Sequence, residues 1–116
     1  MAQIYSSHVI KLYDVYENSC LKIMFIEYCN GRTLTDLIEI KKRIPEGEAI
    51  EILKHLIIGL SEMHKRCIVH RDLKSDNIMS HNRMFKIIDL GFAKLLPSDE
   101  KIYKGTWCGT LITMAP

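Results

Sequence analysis

Apolar runs and short polar breaks in the first thirty positions follow the pattern of two strands joined by a turn. The segment 8–17 is rich in Val, Ile, Leu and Tyr, and the segment 21–29 has the same strand-like character. Asn18-Ser19 separates the two segments, and Asn30-Gly31 ends the second one. The sequence therefore predicts a β-hairpin at the start of the chain.

Two helices are predicted after the hairpin. Thr33 followed by Asp36 resembles a capping box, which predicts a short helix that extends through Ile40. A longer helix is predicted from Pro45-Glu46 to about residue 65 or 66. Apolar residues in this second helix recur at helical spacing and predict one core-facing stripe, formed by Ala49, Ile50, Leu53, Leu56, Ile57, Leu60 and Met63.

Short strand-like pieces follow the long helix, at 67–69, 77–79 and 85–88. A polar turn at 81–83 separates the last two. From Leu95 onward the chain is polar and contains glycine, which predicts a long loop. A chain of 116 residues has room for one small domain or a piece of a larger one.

Composition and charge exclude several classes of partner. The apolar share of 47% and the charged share of 26% are typical of a globular chain, and a net charge of +2 is too small to suggest a nucleic-acid or membrane surface. Four cysteines occur without a Cys-x-x-Cys pair, and neither a secretory signal nor a bilayer-length apolar run is found. We therefore expect a cytoplasmic or otherwise intracellular protein with no nucleic-acid partner and no membrane segment.

A possible zinc motif is formed by His64, Cys67 and His70, which follow a His-x-x-Cys-x-x-His spacing. It supplies three ligands, whereas a structural zinc site usually has four in a closed tetrahedron. The segment between them also passes from predicted helix to predicted strand. The sequence therefore disfavours a zinc site.

The segment 70–77 places a carboxylate, a cation and an amide on one short loop. Beside a substrate hydroxyl, Asp72 could orient that group and accept its proton, and Lys74 could neutralise a transferred phosphoryl group. Asn77 and the later Asp89 offer hard oxygen ligands that suit Mg²⁺. Together these residue types have the chemistry of a phosphoryl-transfer site.

Each of these residues also has an ordinary structural explanation. A single Asp or Asn in a loop is usually a turn former, and a single Lys is usually solvated. The ordered set changes the interpretation, because magnesium-dependent phosphoryl transfer to a hydroxyl requires all of these groups together. The sequence therefore favours this chemistry over four unrelated loop residues.

These motifs resemble the middle of a eukaryotic protein kinase domain. The kinase catalytic loop has the pattern His-Arg-Asp-Leu-x-x-x-Asn, which this chain matches at 70–73 and at Asn77. The kinase metal motif Asp-Phe-Gly is matched at 89–91 with one change, Leu90 in place of Phe. Leu is still apolar and can pack into a core. The resemblance extends over essentially the whole chain.

The resemblance implies an incomplete α+β fold of the protein-kinase type, one partial domain over 1–116. Residues 1–29 would be N-lobe strands and the hinge, and residues 30–116 part of the C-lobe. It implies ATP and Mg²⁺ as cofactors, with adenine bonded by the backbone of Glu27 and Cys29. Ile26 falls at the gatekeeper position behind the nucleotide, and Met79 at the position beneath the adenine ring.

The segment 109–116 is similar to the end of a kinase activation segment. Lys74 together with Thr110 resembles serine/threonine rather than tyrosine kinases, which implies a protein substrate with a Ser or Thr acceptor. Arg71 resembles the arginine of kinases controlled by activation-loop phosphorylation, and Thr106 falls where the phosphate is usual. Further candidate phosphorylation sites are Ser98 and Tyr103.

Several kinase parts are absent from the sequence. It contains neither a Gly-x-Gly-x-x-Gly loop nor a Val-Ala-Ile-Lys strand, so the resemblance implies a central fragment that is inactive alone. A two-stranded hairpin leaves an open edge, and the stripe of the long helix would lack the helices that cover it. We therefore expect the isolated chain to be marginally stable or prone to aggregation.

Two other interpretations stay open. The chain could be a truncated, kinase-derived binding or regulatory module without catalysis, although such a module has no chemical need for the set Asp72, Lys74, Asn77 and Asp89. It could also be an unrelated protein with chance motif matches. The sequence does not specify the kinase subfamily or the oligomeric state.

Overall fold

Short strands and two helices form the part of the chain that the computed structural model describes, residues 4–96 and 108–114. Each of the three sheets described has two strands. This mixture of helices and small sheets confirms the α+β class. In chain order, the elements are β1 (Leu12–Glu17), β2 (Lys22–Ile26), α1 (Leu34–Lys41), α2 (Glu46–His64), β3 (Ile68–Val69), β4 (Ile78–His81), β5 (Met84–Ile87) and β6 (Lys94–Leu95), with 3-10 turns at Ser75–Asn77 and Leu111–Thr113.

The predicted hairpin is confirmed. β1 and β2 pair in antiparallel register, with Glu17 opposite Lys22. The side chain of Asn18 closes the turn between them, because its Oδ1 accepts hydrogen bonds from the backbone N–H groups of Cys20 (2.9 Å) and Leu21 (2.8 Å). Asn is favoured at turns for this ability to bond backbone groups two or three residues ahead.

The first predicted strand is wrong in its early part. The sequence placed residues 8–17 in one strand, but β1 begins at Leu12. Residues 8–10 bond to β5 instead: Ile10 N–H donates to Ile87 O (2.8 Å), and Ile87 N–H donates to His8 O (2.9 Å). Val9, which lies between them, is fully buried. Residues 8–10 therefore pair with β5 and not with β2, and this pairing buries Val9 and Ile87.

The predicted capping box of α1 is present. Asp36 N–H donates to Thr33 Oγ1 (3.1 Å), and Thr33 N–H donates to Asp36 Oδ2 (3.0 Å). The helix ends where Lys42 adopts a left-handed conformation with φ of 63°. None of the residues of α1 is buried.

The core lies between one face of α2, strand β5 and the segment at Val9. From α2 it receives Ile52, Leu56 and Met63. A Cβ on Gly59 would lie 2.7 Å from His8 O, so glycine allows the close approach of α2 to that segment. The remaining buried apolar residues of the core are Val9, Ile68, Ile78 and Ile87.

The predicted stripe of α2 is only partly the core face. Leu56 and Met63 are buried and Leu60 is half-buried, as predicted, but Leu53 is 55% exposed. Ile52, which the stripe omitted, is buried. Several apolar residues of α2 lie outside the covered part of the helix, and contact with β5 decides which of them are buried. The predicted stripe residues that are exposed are Ala49, Ile50, Leu53 and Ile57.

The strands around the later loops are close to those predicted. β4 and β5 form an antiparallel hairpin, with Ile78 opposite Ile87. β6 was not predicted, because the sequence suggested a loop from Leu95 onward, yet Leu95 pairs with Ile68 of β3. A strand of two residues is too short to produce a periodic pattern. In the part of the chain that the structure covers, no helix is long and apolar enough to cross a bilayer.

A pair of stacked histidines connects the segment 8–10, helix α2 and strand β5. The rings of His8 and His55 lie 4.6 Å apart at an interplanar angle of 15°. His8 Nδ1 donates to Phe85 O (3.1 Å), and His55 Nδ1 accepts from Phe85 N–H (3.3 Å). His55 must therefore be neutral at Nδ1 to make this contact. Burial lowers the pKa of His55, the nearby His8 adds to the effect, and Glu51 opposes it.

We expect the free energy of unfolding to fall in mild acid because of His55. Its folded pKa lies below the unfolded value of about 6.5, so the neutral ring stabilises the fold above that pH, and this stability is lost as the pH falls towards the folded pKa. Urea denaturation between pH 8 and pH 5 measures the slope. In His55→Gln the slope should be smaller, and an unchanged slope would contradict the assignment.

Two leucines on α2 test which side of the helix packs in the core. Leu56→Ala should reduce the free energy of unfolding by about 2–5 kcal/mol, because it leaves a cavity in a packed core. With both variants made in residues 1–116, Leu53→Ala is the matched control, since the same change on the exposed side should cost about 0.5 kcal/mol or less. Urea denaturation of both variants measures the difference. Equal losses would show that both sides are packed.

Candidate active site

The loop between β3 and β4 is held in place by His70. This side chain is 3% exposed, its Nε2 donates to Ile88 O (2.9 Å), and its Nδ1 accepts from Asp72 N–H (3.2 Å). Both ring nitrogens are therefore used, which leaves none for zinc. Among residues 4–96 and 108–114, no group of three or more His, Cys, Asp and Glu side chains could hold a metal ion.

Arg71 has a left-handed backbone, with φ of 68°. Its Nε donates to Phe92 O (2.6 Å), which links the loop to the segment after Asp89. Gly109 packs against the backbone carbonyl of Arg71. Its φ of 113° and a Cβ position only 2.5 Å from Arg71 O exclude any other residue there. This close approach brings Thr110 over the loop.

Asp72 lies at the centre of the site and is 5% exposed. Its Oδ1 accepts a hydrogen bond from the Thr110 hydroxyl (2.7 Å), and its Oδ2 accepts from Asn77 Nδ2 (3.0 Å) and lies 3.1 Å from Lys74 Nζ. The hydrogen bond from Thr110 is the main reason that the pKa of Asp72 is lowered; burial opposes it, and Lys74 reinforces it. Asp72 is thus an ionised acceptor at neutral pH.

Thr110 and Lys74 also contact one another. Lys74 Nζ donates to Thr110 Oγ1 (2.8 Å), so the hydroxyl accepts from the lysine and donates to Asp72 at once. This cluster joins two segments separated by more than thirty residues of sequence. The structure therefore brings together four of the predicted site residues, which are Asp72, Lys74, Asn77 and Thr110.

Asn77 connects this cluster to Asp89. Its Nδ2 also donates to Asp72 O (2.9 Å), which leaves Oδ1 as the amide atom able to bind a cation. Its backbone O accepts from Ile88 N–H (2.9 Å), directly before Asp89. Asp89 is exposed with φ of 56°, and its Oδ1 accepts from Gly91 N–H (3.1 Å). An amide oxygen and an exposed carboxylate fit the preference of Mg²⁺ for hard oxygen ligands.

The predicted adenine-binding residues lie at the end of β2, directly after it, and on β4. Ile26 is 50% exposed and ends the strand, and Glu27 N–H donates to Lys11 O (2.8 Å). Met79 lies on β4 opposite Lys86 of β5. Burial raises the pKa of the Cys29 thiol, and the negative charge of Glu27 adds to the shift.

An ion pair that was not predicted from the sequence holds Glu27 against the β4–β5 hairpin. Lys86 is 5% exposed, and its Nζ donates to Glu27 Oε1 (2.8 Å) and Oε2 (2.9 Å). Burial opposes the ionisation of Glu27, but the bond and charge of Lys86 outweigh it, so the pKa of Glu27 is lowered. The sequence signal for this ion pair is Lys86 itself, a charged residue inside the apolar strand-like run 85–88.

The predicted phosphate-accepting residue Thr106 lies outside the described residues, as do Ser98 and Tyr103. Arg71, its predicted partner, lies beside Asp72 and close to Gly109. The regulatory role of this pair therefore stays a prediction.

Comparison with known proteins identifies relatives over the whole chain. The family described as "Protein kinase domain" matches residues 1–116. A probable serine/threonine-protein kinase KIN1 homolog of Enterocytozoon bieneusi is 34% identical over 110 residues, covering 94% of this chain and 18% of that protein. The probable serine/threonine-protein kinase HSL1 of Saccharomyces cerevisiae is 39% identical over 113 residues, covering 95% of this chain and 7% of that protein.

A third relative, NUAK family SNF1-like kinase 1 of Mus musculus, is 31% identical over 117 residues, covering 100% of this chain and 18% of that protein. The chain thus spans less than a fifth of the length of these three relatives.

The contact between Thr110 and Asp72 gives a direct test of the cluster. Thr110→Val removes the main cause of the lowered pKa of Asp72, so that pKa should rise. A carboxyl-carbon NMR titration measures it. Thr110→Ser, which keeps the hydroxyl, should leave the pKa near its original value. An Asp72 pKa in Thr110→Val equal to that in the original protein would contradict the hydrogen bond between Thr110 and Asp72.

Proposed function

The chain belongs to the protein kinase family, and we propose that it carries the catalytic loop of a serine/threonine protein kinase. The reaction is transfer of the γ-phosphoryl group of ATP to a Ser or Thr hydroxyl of a protein substrate. The observation that carries the proposal is the cluster in which the buried Asp72 carboxylate accepts a hydrogen bond from an alcohol and contacts Lys74.

Asp72 is proposed to orient the acceptor hydroxyl and to take its proton. Its lowered pKa keeps it ionised at neutral pH, and its short contact with the Thr110 hydroxyl supports its ability to accept from an alcohol of the same kind as the substrate. Lys74 Nζ lies 3.1 Å from Asp72 Oδ2, the same oxygen that accepts from Asn77 Nδ2 at 3.0 Å. At this position Lys74 can neutralise the negative charge that spreads over the phosphoryl group in the transition state.

Members of the protein kinase family use ATP and Mg²⁺. When bound, they supply the transferable phosphoryl group and a divalent charge that neutralises its oxygens. Asn77 Oδ1 and the Asp89 carboxylate are the proposed metal ligands in this chain. The backbone of Glu27 and Cys29, with Ile26 and Met79, is the proposed adenine site.

We further propose that residues 1–29 contribute N-lobe strands and the hinge, and residues 30–116 part of the C-lobe. In this arrangement other parts of a longer kinase domain would cover the phosphates, and 1–116 alone would be inactive. The apolar surface of the β1–β2 hairpin supports this, since Phe25 is 53% exposed and Ile26 50%. The exposed side of α2 at Leu53 also supports the proposal that further parts of a longer domain cover this surface.

Regulation by phosphorylation is proposed for Thr106 through Arg71. The Arg71 side chain bonds Phe92 O next to the segment after Asp89. A phosphate paired with this arginine would add charge-assisted hydrogen bonds at the same place and order the segments that meet there.

The test is phosphate transfer from labelled ATP to a generic basic protein by the full-length protein. Asp72→Asn should lower kcat by about 10²–10⁴-fold, the usual contribution of a positioned base. Asp76→Asn is the matched control, because Asp76 is exposed on the same loop and should retain most of the activity.

Two other results would count against the proposal. Equal activity with and without the Asp72 carboxylate would remove its role as a base. A full-length protein that folds and transfers no phosphate would favour a regulatory module without catalysis.

A further inference from the structure

The segment 30–35 runs alongside residues 75–82 and is joined to them by polar contacts from end to end. At the far end, Asn30 Nδ2 donates to Asn82 Oδ1 (2.9 Å), and Asn82 N–H donates to Asn30 Oδ1 (3.3 Å). In the middle, Ser80 N–H donates to Arg32 O (2.9 Å) and Arg32 N–H donates to Ser80 Oγ (2.9 Å). We call these contacts the polar seam.

The polar seam ends at the proposed catalytic loop. Thr33 forms an antiparallel bridge with Met79, and Thr35 Oγ1 donates to Ser75 Oγ (2.8 Å). Ser75 directly follows Lys74 and opens the 3-10 turn that ends at Asn77. The last contact of the seam therefore reaches the turn between two proposed active-site residues.

That turn has few bonds of its own. Asn77 N–H donates to Lys74 O (3.0 Å), and Ile78 N–H donates to Ser75 O. A single 3-10 turn has poor hydrogen-bond geometry and little intrinsic rigidity. Asn77 fixes the end of the turn through Asp72 and Ile88, and the contact of Ser75 with Thr35 fixes its beginning.

Thr35 is well suited to supply that contact. The capping box of Thr33 and Asp36 fixes the first turn of α1, and Thr35 lies within that turn. None of the residues of α1 is fully buried, and its first residue, Leu34, is half-buried against the core. The polar contact of Thr35 therefore acts together with this packing to place the N-terminal end of α1 against the loop.

We propose that Thr35 and Ser75 are positioning residues, whose hydrogen bond fixes the turn that presents Lys74 and Asn77. The proposal rests on the proposed function, because the placement of those two side chains matters for phosphoryl transfer. It adds a positioning role for the N-terminal end of α1.

The test compares Thr35→Val, Ser75→Ala and the double variant in the full-length protein. Each should lower kcat roughly fivefold, the value of one neutral hydrogen bond. The double variant should be no worse than either single one, because both remove the same bond. Thr35→Ser, which keeps the hydroxyl, should restore kcat.

The control lies at the far end of the polar seam. Asn82 has φ of 48°, so Asn82→Gly deletes the contacts of the amide without backbone strain. It should lower the melting temperature but leave kcat unchanged. A Thr35→Val variant that lowers only the melting temperature, or an Asn82→Gly variant that lowers kcat equally, would overturn the proposal.

A second measurement does not depend on activity. Hydrogen exchange of the Asn77 and Ile78 amides should be several-fold faster in Thr35→Val than in the original protein or in Asn82→Gly. If the full-length protein transfers no phosphate but these amides respond, the proposed function fails and the link from Thr35 to the turn stands. Unchanged exchange in Thr35→Val overturns the link itself.

Discussion

The backbone hydrogen bonds of two adjacent residues, Ile87 and Ile88, connect the core to the loop of Asp72 and to the start of the segment at Asp89. Ile87 bonds to the segment at residues 8–10 and is fully buried in the core beside α2. Ile88 donates to Asn77 O and accepts from His70 Nε2. The core thus fixes β5, and β5 fixes both the loop of Asp72 and the start of the segment at Asp89. Displacement of this strand would separate the proposed base from the proposed metal ligands.

The site also depends on backbone conformations that most residues avoid. Cys67, Arg71 and Asp89 all have positive φ, at 56°, 68° and 56°. Each such non-glycine residue costs on the order of 1 kcal/mol or more, and such residues persist where surrounding contacts fix them. Here the contacts are identifiable: Arg71 Nε bonds Phe92 O, Asp89 Oδ1 bonds Gly91 N–H, and Cys67 O accepts from Leu96 N–H at 2.7 Å. The strained residues therefore flank the proposed catalytic centre.

Local signals in the sequence predicted the hairpin and the capping box correctly, because a turn Asn and a Thr-x-x-Asp cap each act within a few residues. The structure brings the motif residues Asp72, Lys74 and Asn77 together, and their catalytic roles stay predictions. The face of α2 was predicted only in part. Both Leu53 and Leu56 are apolar, and contact with β5, which is distant in sequence, decides that Leu56 is the buried one. The pair Glu27 and Lys86 was missed for the same reason, since fifty-nine positions separate its members. Long-range pairing leaves no periodic signal in a single sequence.

The central claim is that the cluster around Asp72 faces a nucleotide held by Asn77 and Asp89. A crystal structure of the full-length protein with Mn²⁺ and a non-hydrolysable ATP analogue tests it most directly, because anomalous scattering locates the metal. The account predicts metal density between Asn77 Oδ1 and the Asp89 carboxylate, with the γ-phosphate facing Asp72. Metal or nucleotide bound elsewhere, with Asn77 and Asp89 making no contact to either, would contradict it.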